Sequence, residues 1–389
     1  MTRRQIVTGA SIAARATISA QRRPLWGQIF ITRRCNVRCP FCAAPRHAAK
    51  ELSLAQWREI LTRLHGWGVR WLNIVGGEPT LYQDLWAFLA AAANLGFLTV
   101  LHTNLHRPAS DLVRRLVDAG VFALEVSFDS LDGSMPKSGW HNLELLETVK
   151  QRGVIPLACS VITSRNVHQI ETIAERITTR RIMYIAAVYQ HVGGMFSDSN
   201  LELVPNQTHL SRVLNRLQVL KRKTGLVRNS WEFLSAGCLD RGPQWHCDPS
   251  RDAWITIDSD GVLMACQEHK TTLNVLEVAT LSSQAWREQK IRLAGACGGC
   301  SYHCYYEAES IRGWSAAREI AGYVRSYLNS AWLQTTAIHE VCAPSDNELQ
   351  HATASDPTVS CGGGVALVPI SSIGRAYSGG APPIRERRS

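Results

Sequence analysis

The chain has 389 residues, 45% of them hydrophobic, enough to bury one large core or a large core with a smaller companion. Its formal net charge of +10 is unevenly spread, because residues 1–50 contain no Asp or Glu while Arg recurs through them. The longest apolar run, from Leu85 to Leu101, is broken by Asn94 and Gly96; this argues against a membrane span or secretory signal and sets the expectation of a soluble, cytoplasmic protein.

Residues 1–24 read as a basic, disordered leader; an organelle transit sequence or a nucleic-acid arm shares the composition. From Trp26 short apolar runs alternate with helical patterns. Strands are predicted at Gln28–Thr32, Trp71–Val75, Leu98–His102, Ala123–Ser127, Ile155–Val161 and Ile182–Ala187. Helices are predicted between them at Leu54–His65, Leu81–Leu95, Ser110–Ala119, Leu143–Arg152 and Val167–Thr178. Ser53 and Ser110 stand where N-caps belong. The rhythm predicts an α/β fold with a parallel sheet of six strands, a partial (β/α)6 TIM-like barrel spanning 25–200, with its chemistry at the carboxyl ends of the strands.

Beyond Gly193 the rhythm stops. A connector (201–237) contains a basic amphipathic helix over 207–223, whose Arg212–Lys223 charges read as a solvated face rather than a nucleic-acid surface. A small cysteine-rich domain is expected over 238–335, with a helical stretch around 315–335. The Gly-, Ser- and Pro-rich tail, 336–389, reads as disordered.

Twelve cysteines at short spacings, without a secretory signal, point to metal or cluster ligation rather than disulfides. Cys35-Asn-Val-Arg-Cys39-Pro-Phe-Cys42 directly follows the first predicted strand. Thiolates are soft ligands that suit iron–sulfur clusters and zinc. Three of them can hold three corners of a cubane and leave the fourth iron open; a zinc site would want a fourth ligand, which His47 can supply. After the second strand comes Gly76-Gly77-Glu78-Pro79, 34 positions beyond Cys42. Thr103-Asn104-Leu105 ends strand three, and Ser127-Phe128-Asp129 ends strand four.

Together these segments resemble the radical S-adenosylmethionine (SAM) superfamily over roughly residues 26–195. The CxxxCxxC signature with its aromatic Phe41 and the GGEP segment carry the likeness; Leu105 departs from the family's Thr-Asn-Gly. The resemblance implies a [4Fe–4S] cluster on Cys35, Cys39 and Cys42, and SAM held by Gly76, Gly77, Glu78, Pro79, Asn104, Ser127 and Asp129. It also implies an electron donor such as flavodoxin or ferredoxin.

The second cysteine region reads as a β-hairpin: thirteen residues separate Cys247 from Gly261, and four more precede Cys266. Cys297-Gly-Gly-Cys300 follows, with Cys304 beyond it. The pattern resembles the SPASM or twitch extension of radical SAM enzymes and implies one auxiliary [4Fe–4S] cluster among Cys247, Cys266, Cys297, Cys300 and Cys304. A second cluster would have to recruit Cys238, Cys342 or Cys361, and a structural zinc is the alternative occupant. Cys159 on strand five is either a small buried hydrophobe or a hydrogen-atom donor. His102, His191 and His303 are weighed as structural histidines against substrate contacts, and Trp245 and Trp254 flank the second region.

The expected function is a radical SAM enzyme that takes a hydrogen atom from a small metabolite, with dehydrogenation and epimerisation among the outcomes. A peptide maturase is the alternative; a zinc-containing nucleic-acid-binding protein is the alternative from another class.

Overall fold

The computed structural model describes residues 3–18, 24–47, 49–106, 108–137, 140–237, 246–252, 254–300, 302–310 and 318. Two units divide the chain, Met1–Thr335 and Thr336–Ser389, and every described residue belongs to the first. The expected disordered tail, nearly all of the 315–335 helical stretch, and Cys238, Trp245, Cys342 and Cys361 lie outside the described residues.

Six parallel strands follow the predicted order: β1 (Trp26–Thr32), β2 (Trp71–Gly76), β3 (Leu98–Thr103), β4 (Ala123–Ser127), β5 (Ile155–Ile162) and β6 (Met183–Val188). The helices between them are α2 (Leu54–Trp67), α3 (Leu85–Leu95), α4 (Leu112–Asp118), α5 (Leu143–Gln151) and α6 (Ile170–Thr179). Strand alternation explains the layering. Leu72, Ile74, Leu101, Leu124, Val126 and Tyr184 join the core shared with the helices. Val100, Ala123, Ile155, Leu157 and Met183 face the other way, with Leu226, and form a separate apolar floor on the inner face. Burying a side chain of this size contributes about 1.5–3 kcal/mol, so these two cores dominate the fold's stability.

Local chemistry sets the helix ends. Ser53 and Gln56 form a reciprocal capping box at the start of α2, and Gly68, at φ +107°, ends it in the left-handed conformation. Ahead of α4 the N-cap is Asp111 rather than Ser110, and its carboxylate pairs with Arg114 and Arg115 instead of capping.

Arg3–Ile18 forms α1, in which Ile12 is buried and Arg15 donates to the Gly68 carbonyl at 2.7 Å. A cation at the C-terminal end of α2 is favourable, which is the physical reason this arginine-rich segment finds a seat. The hairpin of the cysteine-rich region extends the main sheet. β7 (Trp254–Ile257) pairs parallel with β1; β8 (Val262–Cys266) and β9 (His269–Asn274) continue antiparallel. The single sheet therefore runs β6-β5-β4-β3-β2-β1-β7-β8-β9, and its terminal strands do not pair with one another. It is an open, unclosed α/β sheet of the partial-barrel kind. α7 (Gln207–Thr224), α8 (Gln284–Gly295) and α9 (His303–Ser310) complete the described helices. Among the described residues no helix is long and apolar enough to cross a membrane.

Candidate active site

The loop leaving β1 carries Cys35, Cys39 and Cys42 as free, partly buried thiols. Burial pushes all three thiol pKa values up, Cys39 to about 11, while the Lys137 ammonium pulls the other way on each. Three soft donors in a desolvated loop beside a fixed cation are poorly served as bare thiolates; binding to a metal centre would relieve that. Among the described residues, no group of three or more His, Cys, Asp or Glu side chains could hold a single metal ion. A cubane makes a different demand, since each thiolate takes a separate iron, and the donor set fits a three-cysteine cluster.

The loop is held against the end of β2 by close backbone contact. Gly77 N donates to Thr32 O and Glu78 N to Arg34 O, each at 2.8 Å. A Cβ on Gly77 would overlap the Arg34 carbonyl and stand 2.7 Å from that of Arg33. Only glycine fits between these two chain segments.

Glu78 is fully committed within the protein. One carboxylate oxygen accepts from Thr80 N, Thr80 Oγ1 and Thr103 Oγ1, and the other from Asn104 N at 2.8 Å. It ties the ends of β2 and β3 together, with Pro79 buried beside it. Asn104 reaches back to the first loop, donating to Asn36 at 2.8 Å with Cys35 Sγ at 3.9 Å. Leu105, where the family motif would have glycine, nonetheless takes φ +46°. The left-handed conformation costs about 1–2 kcal/mol for a residue with a side chain; burial of Leu105 and the bond from Asn142 to its carbonyl offset that cost.

At the end of β4, Asp129 is buried. Its Oδ1 accepts from Val161 N at 2.8 Å, while Oδ2 is buried without a hydrogen bond, 4.0 Å from Lys137 Nζ. Burial raises the Asp129 pKa, opposed by Lys137 and Val161 N. Ser127 Oγ lies 3.4 Å from the same Nζ, which also stands 5.4 Å from the Phe41 ring centre. Sequence reasoning missed Lys137. It belongs to no motif, and its position as the cation in the loop after β4 was the available signal.

The inner face of the sheet carries a hydrogen-bonded polar row above the apolar floor. Trp71 Nε1 donates to Asn73 Oδ1 at 3.2 Å; His102 Nε2 lies 3.1 Å from the same oxygen, and His102 Nδ1 lies 2.8 Å from Glu125 Oε1. Burial works to raise the Glu125 carboxyl, but the His102 charge and hydrogen bond outweigh it and hold the group below the ordinary range. Cys159, on β5, hydrogen-bonds Glu125; burial and that neighbouring charge drive its thiol well up, so it keeps its hydrogen. His303 of α9 is close enough to feel the charges of Glu125 and His102, and burial pushes its pKa down to about 4. His191 takes no part in this row.

The second cysteine set is partly assembled. The charge of Cys300 acts on both Cys266 and Cys304, and Tyr305 lies near these two. Cys297 is hydrogen-bonded to His269, which lowers the thiol's pKa and raises the imidazole's. Cys247 stands half-buried just ahead of β7, and Trp254 packs against Tyr305 with ring centres 5.7 Å apart and planes tilted by 56°. Glu268, also absent from the sequence reading, joins this set to the first loop. Its carboxylate accepts from Phe196 N at 2.9 Å, from Ser197 N at 3.0 Å and from the Tyr302 hydroxyl. Phe196 O in turn accepts from Ala43 N at 2.8 Å, and Ser197 bridges Cys42.

The open parallel sheet with a three-cysteine loop at the carboxyl end of β1 defines a class. Residues 29–179 match the family model of the Radical SAM superfamily. Solved structures of similar fold include Streptococcus suis SuiB bound to S-adenosylmethionine, with 19% identity over 69% of this chain and 68% of that one, TM-score 0.56. SuiB bound to its precursor peptide SuiA aligns with 20% identity over 75% and 73%, TM-score 0.57. Native anSMEcpe with bound AdoMet and Kp18Cys peptide gives 13% identity over 79% and 99%, TM-score 0.53.

Proposed function

We propose that the protein is an enzyme that reductively cleaves S-adenosylmethionine and uses the resulting radical to remove a hydrogen atom from a substrate seated on the inner face of the sheet. The observation that carries this is the trio of desolvated thiols at the end of β1, locked by Gly77 against the end of β2. A [4Fe–4S] cluster on Cys35, Cys39 and Cys42 would supply the electron that splits the sulfonium into methionine and a 5′-deoxyadenosyl radical. Gly76 and Gly77 let the end of β2 pack directly on the backbone of the first cysteine loop, Glu78 and Asn104 fix the backbone beside it, and Lys137 with the orphaned Asp129 oxygen offers a cation and an acceptor beside Ser127. The apolar floor and the helices behind it keep water from a reactive intermediate. Cys159, held protonated, has the hydrogen that a donor to a substrate radical needs.

Cys266, Cys300 and Cys304, with Cys297 and Cys247, would hold one auxiliary [4Fe–4S] cluster and receive or relay an electron. A low-potential flavodoxin or ferredoxin would reduce the first cluster. A small metabolite is the first substrate reading. A peptide side chain is the second, favoured by the SuiA and Kp18Cys peptides present in two structures of similar fold.

Iron and sulfide analysis of anaerobically purified protein tests the proposal, together with 5′-deoxyadenosine formation from SAM after reduction. About eight irons per chain are expected for two clusters and about four for one. Replacing Cys35, Cys39 and Cys42 together with Ala should abolish SAM cleavage and leave the auxiliary cluster. Undiminished 5′-deoxyadenosine in that variant, or bound zinc without sulfide in the wild type, would reject it.

A further inference from the structure

The polar row on the inner face contains a proton whose position can be counted. An indole N–H only donates, so the Asn73 atom that Trp71 reaches at 3.2 Å is the carbonyl oxygen. That oxygen only accepts, so His102 Nε2, 3.1 Å away, carries a hydrogen. At 2.8 Å from Glu125 Oε1, Nδ1 can hydrogen-bond only if a second proton sits between the two. Both nitrogens of His102 are thus engaged, and its ring is fixed between β2 and β4. Glu125 is not fully enclosed: its side chain is 13% exposed, on the face that carries Ser127, Cys159 and Val161. Below it lie Val100, Ala123 and Leu157, which offer no hydrogen-bond partner from their side chains.

We infer that Glu125, positioned by His102, is the substrate anchor of the inner face, and that it takes a group donating hydrogen bonds: an ammonium or hydroxyl carried beside the carbon attacked. A carboxylate that shares one proton with a histidine keeps acceptor capacity on its remaining lone pairs. An anionic ligand group at this point would meet the remaining acceptor lone pairs of Glu125 and find no free donor, because both nitrogens of His102 are engaged and Lys137 is directed to Asp129 and the first cysteine loop. The groups facing Glu125 are His102, Cys159 and His303. His102 is a positioning residue, since neither nitrogen is left to touch a ligand. The inference rests on the proposed radical chemistry only for the phrase "carbon attacked"; the anchor itself is a binding claim.

The experiment uses full-length protein labelled with nitrogen-15 at histidine. The His102 resonances are assigned by their loss in His102→Asn. Serinol, which carries an ammonium and two hydroxyls, is titrated as the probe, with glycerol as the hydroxyl-only arm and glycerate as the anionic arm. Serinol should shift the His102 signals, and glycerate should not. Glu125→Gln should weaken serinol binding roughly 10- to 100-fold, the loss expected for hydrogen bonds to a charged acceptor, and Glu125→Asp should keep part of it. His102 signals unmoved by serinol, equal response to glycerate, or unchanged affinity in Glu125→Gln would overturn the anchor. Glycerol shifting His102 as strongly as serinol would overturn the ammonium alternative and leave the hydroxyl one. Because the readout needs no iron, failure to assemble a cluster would reject the proposed chemistry without touching this result.

Discussion

Arg33 and Asp258 form a buried ion pair whose removal should be felt at the first cysteine loop, two residues from Cys35. Their side chains are 3% and 0% exposed, with Nε and Oδ1 2.8 Å apart. Arg33 also donates to Met195 O at 3.2 Å and lies over the Phe30 ring at 4.5 Å; Asp258 also holds Lys270 at 2.7 Å. Taking one partner from a buried pair costs about 3–5 kcal/mol, because the other charge is left desolvated. Asp258→Asn leaves Arg33 with a carbonyl and an aromatic face, so the full range applies. Arg33→Met leaves Asp258 its lysine, so a loss of about 3 kcal/mol is expected. At about 2 °C per kcal/mol for a unit of this size, Asp258→Asn should lower the melting temperature by roughly 6–10 °C. The double variant strands no guanidinium and should recover about 1–3 kcal/mol relative to the sum of the single losses. Melts followed by circular dichroism, anaerobic and at matched scan rate, provide the comparison. Single variants melting within about 1 °C of wild type, or strict additivity in the double, would refute the claim that this pair is a desolvated unit.

Other outcomes follow from the same geometry. Gly77→Ala should abolish SAM binding, read by equilibrium dialysis, while far-ultraviolet circular dichroism stays native, because the new methyl overlaps backbone rather than a movable side chain. Asp258 has a folded pKa below its ordinary value: burial opposes this, but Arg33 and Lys270 prevail. Its stabilising contribution is therefore present above about pH 4 and lost as pH falls through the folded value. Wild type should accordingly lose more stability than Asp258→Asn between about pH 5 and 3 in urea titrations. Lys137→Met should slow alkylation of Cys39 and Cys42 in iron-free protein several-fold near neutral pH, measured by peptide mass spectrometry, since it removes the charge that favours their thiolates. Ser53→Ala should cost about 1 kcal/mol through loss of the capping box on α2, visible in a urea midpoint.

The strand ends were legible because glycine, proline and cysteine mark them by type: Cys35 to Cys42 and Gly76 to Pro79 fall in the loops where β1 and β2 stop. The β7–β8 hairpin was legible from the placement of Gly261 between Cys247 and Cys266, but not its docking on β1, since Trp254–Ile257 carries no signal of the strand it will pair with. β9 follows Cys266 after only two residues, leaving no turn signal to separate it from β8. The leader's composition suggested disorder, yet Arg15 is held by a carbonyl that only the folded chain presents. His102 looked solitary because its partners Asn73 and Glu125 belong to other strands. Each occupies an inward position by strand parity; the register sets Glu125 opposite His102 and Asn73 opposite Val100, two residues before it, and that register is a tertiary property. Glu78 was legible as a motif residue but not as the knot between β2 and β3.

The segment around Phe196 and Ser197 belongs to neither cysteine loop, yet touches both: its carbonyl and bridge meet Ala43 and Cys42, while its amides meet Glu268. Trimming away the β8–β9 turn would therefore strip two amides of their acceptor on the far side of the molecule's first sulfur loop. The two cysteine regions share a seam, and a graft or truncation that moves one must carry its stitching along.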